Sequence, residues 1–472
     1  MLFNTYEFIF LFLPIVFVLF WFSKSVRSKL YILTCSSYIF YGYWNPWFVF
    51  LMLGSTCLDY WVGEKLYIET KQRKRKLLLL ASMLGNLGSL GFFKYYNFFA
   101  DSVTLTLNSI GLTSFIPALN IILPVGISFY TFQSMSYTID IYRRKAKPTN
   151  DFLKFACYVS MFPQLVAGPI VRHSDLIYQL DEKINSFFCK LNWEYLSRGL
   201  ILFSIGMSKK ILIADRIAER IDPMLLDYQN LEFIGSWAAM LGYTFQIYFD
   251  FSGYSDMAIG LGLLFGLQLP QNFNSPYKAQ NITDFWYRWH ISLSSWLKNY
   301  LYISLGGNKK GKIRTYINLM ITMLLGGLWH GASWNFVIWG GFHGILLAIH
   351  KIIIGEKRSI KPEKSYTKQF LFFFIIVFTW VFFRCESFTM SSSMVQAMIG
   401  LKGIALEANL MSIVDIRLLA ILSIAFIIAH FSPNSLEIKI KYTIPRLLLY
   451  TTSLALCIMY MTEKMEFLYF QF

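Results

Sequence analysis

The chain has 472 residues, of which 56% are hydrophobic and 18% aromatic, and its mean hydropathy is +0.47. A water-soluble core cannot hold that much apolar surface, so the composition excludes an ordinary soluble protein and indicates one that crosses a lipid bilayer several times. The net charge of +16 comes from short Lys and Arg runs between apolar segments, without the basic stripe of a nucleic-acid-binding surface. We therefore expect no nucleic-acid partner.

The length allows one large helical bundle or two small domains. No linker, low-complexity tract or internal repeat divides the sequence. We therefore predict one integral-membrane domain over residues 1–472, with N-terminal helices over 1–150, a central core over 151–350 that contains His290 and His330, and C-terminal helices over 351–472.

The basic runs predict the topology, because Lys and Arg near membrane spans stay on the cytoplasmic side. The runs lie at residues 24–29, 71–76, 143–147, 309–314, 357–364 and 439–446. Residues 6–22 then form a first span that starts outside, and they are expected to be retained because no cleavage site of small residues follows. Further spans are predicted at 77–95, 123–142, 370–383, 418–430 and 447–460. Both termini are therefore expected to be extracytoplasmic, in a multi-pass membrane protein.

The middle of the chain is less regular, because its apolar stretches carry prolines, glycines and isolated polar residues. Broken helices survive at membrane depth only where they pack on protein or line a wet cavity, so residues 152–344 are expected to form the walls of a chamber. The segment FPQLVAGPI, residues 162–170, is too short between its two prolines to cross a bilayer. It predicts either a re-entrant hairpin or a proline kink between two helices.

Two carboxylates, Asp250 and Asp256, lie six residues apart in an apolar run. A helix turns them roughly 120° apart, which does not favour a pair of acid and base catalysts. Either carboxylate could orient a histidine, but ion pairing with Arg288 or Arg216 is the favoured interpretation. The six cysteines show no CxxC spacing and are expected to be buried apolar side chains, not metal ligands.

Two histidines that each follow a tryptophan, His290 and His330, are the candidate catalytic residues. An ionisable ring at membrane depth is costly to bury, so it marks a functional site about as often as a structural one. The sequence has no GxSxG elbow for a serine nucleophile and no HExxH zinc pattern. A histidine acting as general base in a chamber open to both faces would suit acyl transfer.

A basic turn with Lys309 and Lys310 follows the first histidine, and its spacing is not that of a phosphate-binding loop. It either attracts the phosphates of an anionic cofactor or only keeps this turn on the cytoplasmic side of the membrane.

Three long segments resemble the signature sequences of one family: YFDFSGYSDMAIGLG from residue 248, NFNSPYKAQNITDFWYRWHISLSSWLKNYLYISLGGNKKG from residue 272, and GGLWHGASWNFVIWGGFHG from residue 326. With FPQLVAGPI and the N-terminal MLFNTYEFIFLFLPI, they are similar to the bacterial branch of the membrane-bound O-acyltransferase superfamily over essentially the whole chain. The resemblance implies an all-α polytopic fold, with a ring of roughly 10–12 transmembrane helices and re-entrant segments around a central chamber.

The resemblance also implies roles for individual residues. His330 matches the family's catalytic histidine, and His290 matches a second position, often Asn or His, with a supporting or proton-handling role. Tyr287 stands where many relatives have a second arginine before Arg288, which puts a local ion pair in doubt but not the chemistry. Other contacts to substrate or cofactor are expected from Arg288, Trp289, Trp329, Asn335, Ser292, Lys309 and Lys310.

The C-terminal residues Phe467, Tyr469 and Phe472 match a terminal F-x-Y-x-x-F motif that is associated in this branch with an acyl-accepting tyrosine. By composition alone the segment is an aromatic anchor at the membrane interface. A tyrosyl ester keeps its acyl group activated, because its phenolate leaving group has a pKa of about 10.

The function that the resemblance implies is membrane O-acetylation. Acetyl would pass from cytoplasmic acetyl-CoA, which is not a permanently bound cofactor, through Tyr469 to an extracytoplasmic SGNH-hydrolase-like transferase. The final acceptor would be a cell-surface polysaccharide, with peptidoglycan slightly favoured over alginate or another exopolysaccharide.

Three alternatives stay open. One is D-alanyl transfer from a carrier protein to teichoic acid, although enzymes of that type take their tyrosine from a separate small subunit. The second is a lipid or protein acyltransferase of the eukaryotic branches. The third is a non-catalytic transporter whose histidines gate a path.

Overall fold

The computed structural model describes residues 1–112, 116–181, 186–354, 365–404, 415–438, 443–461 and 467–468. Throughout these ranges the regular structure is helical, which confirms the predicted all-α class. The chain divides into two compact units, one formed by Met1–Leu200 with Ala258–Pro270 and the other by Ile201–Met257 with Gln271–Phe472. The single domain and the ring of helices stay predictions.

The first unit contains a series of apolar helices from the N-terminal part of the chain. They are Leu13–Phe22, Val26–Gly42, Trp47–Ile68, Gln72–Leu90, Tyr96–Ser109, Ile127–Tyr142 and Phe152–Ser160, followed by short turns at Phe162–Leu165, His173–Leu176, Ile177–Leu180 and Ser186–Cys189. Two π-helical stretches, Glu7–Phe12 and Gly91–Tyr95, extend these helices. Trp193–Met207 belongs partly to each unit.

A buried carboxylate ties together three helices of the first unit. Asp59 accepts hydrogen bonds from the Ser82 hydroxyl at 2.6 Å and from the Asn86 side-chain amide at 2.8 Å, and the Ser82 hydroxyl also lies 3.1 Å from that of Thr138. A polar group removed from water is costly unless it is hydrogen-bonded, so this network fixes the register of the three helices.

The FPQLVAGPI segment is not part of a continuous spanning helix. Phe152–Ser160 stops before it, Phe162–Leu165 makes a single turn, and the next helical residues begin at His173. The carbonyl oxygen of Tyr158 accepts hydrogen bonds from the side-chain amides of Gln133 and Gln164, each at 2.6 Å. The helix break is therefore satisfied by protein groups, as an interruption at membrane depth requires. A re-entrant path through the bilayer stays a prediction.

The second unit contains the central and C-terminal helices. They are Asp215–Leu226, Phe233–Leu264, Ile282–Arg288, Ile291–Trp296, Lys312–His330, Trp334–Ile354, Tyr366–Arg384, Phe388–Met398, Ile416–Phe431 and Ile444–Tyr460, with π-helical stretches at Ser208–Ala214 and Leu297–Tyr302 and a 3₁₀ turn at Pro276–Lys278. Among them, Phe233–Leu264 is long, with 32 residues, and its last turns belong to the first unit.

Three of the described helical stretches are long and apolar enough to cross a membrane: Gln72–Ser109, Trp334–Ile353 and Tyr366–Arg384. Shorter apolar helices lie at Glu7–Phe22, Ile416–Phe431 and Ile444–Tyr460. Five of the predicted spans coincide with members of these two groups. The predicted span 123–142 is helical only from Ile127, because Gly126 has a left-handed φ of 75°. The basic run at 357–364 and residues 439–442 of the last run lie outside the described residues.

The cysteines are less uniform than predicted. All six are free. Cys157, Cys385 and Cys457 are buried as predicted and Cys189 is half-buried, but Cys35 and Cys57 are exposed at the protein surface, so the expectation was wrong for these two.

Glycines hold two helices of the second unit in backbone contact. We call Lys312–His330 the histidine helix and Trp334–Ile354 the return helix. A Cβ atom added to Gly327 would lie 2.1 Å from the carbonyl oxygen of Phe336, and one added to Gly340 would lie 2.2 Å from that of Met323. The small residues therefore set the separation of the two helices and, with it, the position of His330.

This contact predicts a selective loss of stability for Gly340→Ala, since backbone atoms cannot move aside for the new methyl group. We expect the unfolding free energy to fall by about 1–3 kcal/mol. Gly341→Ala is the matched control, because a Cβ there would meet only the side chain of Leu324 at 3.6 Å. Thermal unfolding in detergent, followed by tryptophan fluorescence, compares the two variants; equal midpoints would contradict the proposed backbone contact.

Candidate active site

The segment that carries His290 is held by backbone pairing within the second unit. The Asn274 N–H donates to the carbonyl oxygen of Arg288, and the Ile291 N–H donates to that of Asn272, both at 2.9 Å. His290 itself lies in the left-handed region, with φ 43° and ψ 56°, directly before the helix Ile291–Trp296. Such a conformation costs roughly 1–3 kcal/mol and persists only where its surroundings enforce it.

The buried carboxamide of Asn272 organises the polar side of this segment. Its oxygen accepts hydrogen bonds from the Ser292 hydroxyl at 2.8 Å and the Ser292 backbone N–H at 3.3 Å, and it lies 3.1 Å from Nδ1 of His290. Its nitrogen donates to the Ser255 hydroxyl at 3.2 Å. Asn272 is fully buried, so these contacts replace the water that its amide has lost.

These contacts define the tautomer of His290. The two Ser292 donors identify the atom that faces the ring as the carboxamide oxygen, which can only accept a hydrogen bond. Nδ1 of His290 is therefore the protonated nitrogen, and in the neutral ring Nε2 carries the lone pair. An imidazole in this state can take up a proton at Nε2, whereas it cannot donate from that atom to an oxyanion.

His330 ends the histidine helix inside a cage of aromatic rings. Its ring centroid lies 5.2 Å from that of Trp339, 5.1 Å from that of Phe383 and 5.1 Å from that of Trp329. The side chain is buried, and its ring centroid is 6.4 Å from that of His290. The structure therefore brings together the two histidines that the sequence singled out, within a largely apolar environment.

The two predicted tryptophans have different surroundings. Trp329 contacts both histidines, with ring centroids 6.0 Å from His290 and 5.1 Å from His330. Trp289 packs against the rings of Phe273 and Trp380, at 5.1 Å and 5.0 Å. Both indoles are buried, but only Trp329 forms part of the wall around the histidines, whereas Trp289 belongs to the neighbouring aromatic cluster.

Three further predicted contact residues have structural partners. The Arg288 Nε donates to Asp284 at 2.8 Å, and its Nη1 donates to the carbonyl oxygen of Asn274 at 3.2 Å. Arg288 therefore has an ion-pair partner in a segment where Tyr287 replaces the second arginine. Asn335 donates from its amide to the carbonyl oxygen of Cys385 at 2.7 Å, and Ser292 donates to Asn272 as described. All three side chains therefore help to hold the segments around the histidines.

Lys309 and Lys310 are not brought close to the histidines. They are exposed in the turn that precedes the histidine helix, whereas His330 ends that helix. The 19 residues of the helix span roughly 28 Å at 1.5 Å per residue. Attraction of cofactor phosphates to this turn stays a prediction.

The carboxylates Asp250 and Asp256 form ion pairs, as the sequence predicted, but not with the expected arginines. Asp250 pairs with Lys210 at 2.5 Å and Asp256 with Lys209 at 2.6 Å. Both lysines lie in the π-helical stretch Ser208–Ala214. The expected partners are occupied elsewhere, since Arg288 pairs with Asp284 and Arg216 with Glu219.

Glycine contacts explain why the lysines meet these carboxylates. A Cβ atom on Gly206 would lie 2.5 Å from the carbonyl oxygen of Gly253, and one on Gly253 would lie 2.7 Å from that of Gly206. The two backbones therefore touch immediately next to the lysine pair. Sequence alone gives no sign of which lysine faces which carboxylate, because this depends on which helices are neighbours.

Sequence reasoning also missed the role of Asn272 and the contributions of the helix Phe233–Leu264. Phe251 of this helix contacts the His290 ring edge-on at a centroid distance of 4.8 Å, and Ser255 receives the Asn272 amide. The sequence carries only a weak signal for this role, because Asn272 stands among other polar residues, Gln271, Asn274 and Ser275, between two prolines. Tyr469 and Phe472 lie outside the described residues, whereas Phe467 and Leu468 are described and buried.

Known proteins similar to this chain point to one family. The sequence profile of the membrane-bound O-acyltransferase family matches residues 44–395. A Pseudomonas putida protein named "Probable alginate O-acetylase AlgI" is 44% identical over 402 residues, which cover 84% of this chain and 80% of that protein. A Helicobacter pylori protein named "Peptidoglycan O-acetyltransferase" is 40% identical over 435 residues, covering 86% and 81%.

A more distant relative is the "Teichoic acid D-alanyltransferase" of Bacillus subtilis, which is 27% identical over 274 residues, 57% of this chain and 69% of that protein. The profile and the two closer relatives confirm the resemblance inferred from the signature segments and the prediction of an O-acyltransferase. The chain belongs to the membrane-bound O-acyltransferase family, as a membrane-embedded enzyme.

Proposed function

We propose that the protein transfers acetyl groups from cytoplasmic acetyl-CoA across the membrane for O-acetylation of a cell-surface polysaccharide. The observation that carries this proposal is the pair of buried imidazoles, His290 and His330, whose ring centroids lie 6.4 Å apart inside a protein of this family. Two rings at this distance can both reach one reacting group, because catalytic hydrogen bonds span about 3 Å.

In the proposed mechanism, His330 is the general base. It takes the phenolic proton of Tyr469 as the phenol oxygen attacks the thioester carbonyl of acetyl-CoA. The carbon–sulfur bond then breaks, the proton passes to the departing thiolate, and acetyl-Tyr469 and free coenzyme A are the products. The Nδ1–H tautomer of His290 supports the proton-handling role over oxyanion stabilisation, so backbone N–H groups are the better candidates for the oxyanion.

The acetyl group of Tyr469 would next pass to an extracytoplasmic SGNH-hydrolase-like transferase, which would esterify the polysaccharide. The names of the relatives support alginate or peptidoglycan as the acceptor class. We place the enzyme in the bacterial cytoplasmic membrane with both termini outside, which would put Tyr469 on the side where that partner works. D-alanyl transfer to teichoic acid is less well supported, because the relative of that name is only 27% identical.

Mass spectrometry of the intact C-terminal peptide tests the proposed acyl relay. Purified protein incubated with acetyl-CoA should carry an acetyl ester on Tyr469, which mild alkali removes. We expect His330→Ala to lose this ester and to lower coenzyme A release about 100-fold or more, since general-base catalysis contributes roughly that factor. A transporter would release no coenzyme A, and an ester that forms normally without His330 would refute its assigned role.

His343→Gln is the matched control for the loss of a buried imidazole. His343 lies in the same aromatic cluster, 4.5 Å from Trp339 between ring centroids, but its Nε2 is bonded to the Thr379 hydroxyl at 3.2 Å. We expect this variant to retain most of its acetyl transfer. Loss equal to that of His330→Ala would indicate that both substitutions act through packing.

The hydrogen bonds of Asn272 predict a graded series of variants. Asn272→Leu keeps the size of the side chain but removes the acceptor of Nδ1–H, and we expect kcat to fall about 10-fold to 100-fold because His290 loses its fixed tautomer. Asn272→Asp restores an acceptor at the same place and should recover part of kcat, with KM for acetyl-CoA little changed in either variant. Equal activity of the Leu variant and the wild type would exclude this positioning role.

A further inference from the structure

The C-terminal segment before Tyr469 returns to the protein interior. Phe467 and Leu468 are only 1% and 6% exposed. The backbone N–H of Leu468 donates to Oδ2 of Asp250 at 2.9 Å, which is a charge-assisted hydrogen bond in the interior. The helix Ile444–Tyr460 precedes this segment, and residues 462–466, between Met461 and Phe467, lie outside the described residues.

The ring of Phe467 is held from two sides. Lys210 Nζ lies 4.5 Å from its centroid, and the ring of Tyr254 meets it edge-to-face at 4.9 Å and 88°. An ammonium group over an aromatic face is attracted by the ring quadrupole, more strongly when both are out of water. Phe467 therefore lies between a cation and an aromatic ring, and both contacts are more specific than apolar packing alone.

The ionic groups of this contact divide their bonds between the core and the C-terminal segment. Asp250 uses Oδ1 for Lys210 and Oδ2 for Leu468, and Lys210 also pairs with Asp215 at 2.8 Å. Buried ion pairs contribute little net stability, because desolvation offsets most of their attraction. Their oriented bonds instead select one position for the peptide that they hold. We call Lys210, Asp250 and Tyr254 the C-terminal clamp.

The clamp and the His290 segment share two turns of the helix Phe233–Leu264. Asp250 and Tyr254, four residues apart, contact the C-terminal segment. Phe251 and Ser255, each one residue further, contact His290 and Asn272. Residues four apart share a helix face, and a step of one residue turns that face by about 100°. Adjacent faces of one rigid helix therefore hold the C-terminal segment and the His290 segment.

We propose that the C-terminal clamp positions the acyl-accepting end of the chain, so that the residue after Leu468 is presented from a fixed point on the helix that also supports His290. Lys210, Asp250 and Tyr254 are thus positioning residues for the acyl relay. This role rests on the proposed function of Tyr469, but the docking of Phe467 and Leu468 does not.

Hydrogen exchange of the full-length protein in detergent, read by mass spectrometry of the C-terminal peptide, tests the docking independently of activity. Asp250→Asn weakens the hydrogen bond from the Leu468 N–H, while Lys210 retains its ion pair with Asp215. We expect the C-terminal amides to exchange about tenfold faster or more. Asp256→Asn is the matched control, because Asp256 pairs with Lys209 at 2.6 Å and accepts from Ser435 at 2.8 Å. Fast exchange in the wild type, or equal acceleration in both variants, would overturn the clamp.

A second variant, Phe467→Ala, leaves every charged partner in place and should also accelerate exchange of this peptide. In the acetylation assay, both Asp250→Asn and Phe467→Ala should reduce acetyl-Tyr469 formed per enzyme, whereas Asp256→Asn should not. If Tyr469→Phe retains full acetyl transfer while the exchange results hold, the relay fails and the docking stands. If exchange is protected but neither clamp variant changes Tyr469 acetylation, the positioning role is refuted.

Discussion

The bonds made by the carboxamide of Asn272 are the interaction on which the arrangement around His290 depends. Because the side chain is fully buried, each of its polar atoms must find a partner within the protein. It therefore joins the helix that carries Ser255 to the segment that carries His290 and Ser292. A shift of any of these elements would leave a polar group without a hydrogen bond in an apolar interior. The packing of the helices therefore fixes the orientation of the His290 imidazole.

The helix Phe233–Leu264 extends this constraint to the rest of the second unit. Its backbone touches Gly206, and its carboxylates take up Lys209 and Lys210, so the segment that follows Trp193–Met207 is locked to it. The histidine helix is fixed separately by glycine contacts with the return helix. The two histidines are thus held in place by close backbone packing at glycine positions and by buried hydrogen bonds. Both kinds of support are available in an interior from which water is excluded.

Much of this was predictable from the sequence. The apolar segments and the helical class follow from hydropathy. The choice of the two histidines as residues to examine follows from the cost of burying an ionisable ring. The partners of Asp250 and Asp256 were not predictable, because a sequence gives charges without saying which helices are adjacent. The role of Asn272 depends on an extended segment pairing with another segment, and helical periodicity carries no information on such pairing. Lys309 and Lys310 follow His290 closely in sequence, yet a whole helix separates them from His330.

The left-handed backbone of His290 restricts which residues can occupy this position, independently of any chemistry. Among residues other than glycine, Asn, Asp and His are found most often in this region. For other residues, the left-handed conformation raises the free energy of the folded state by roughly 1–2 kcal/mol. Asn and His are also the residues that the resemblance implies at this place in related enzymes. Backbone conformation alone would therefore narrow the choice to a few side chains that can form hydrogen bonds. It follows that His290→Asn removes the imidazole and preserves the turn, whereas His290→Ala changes both at once.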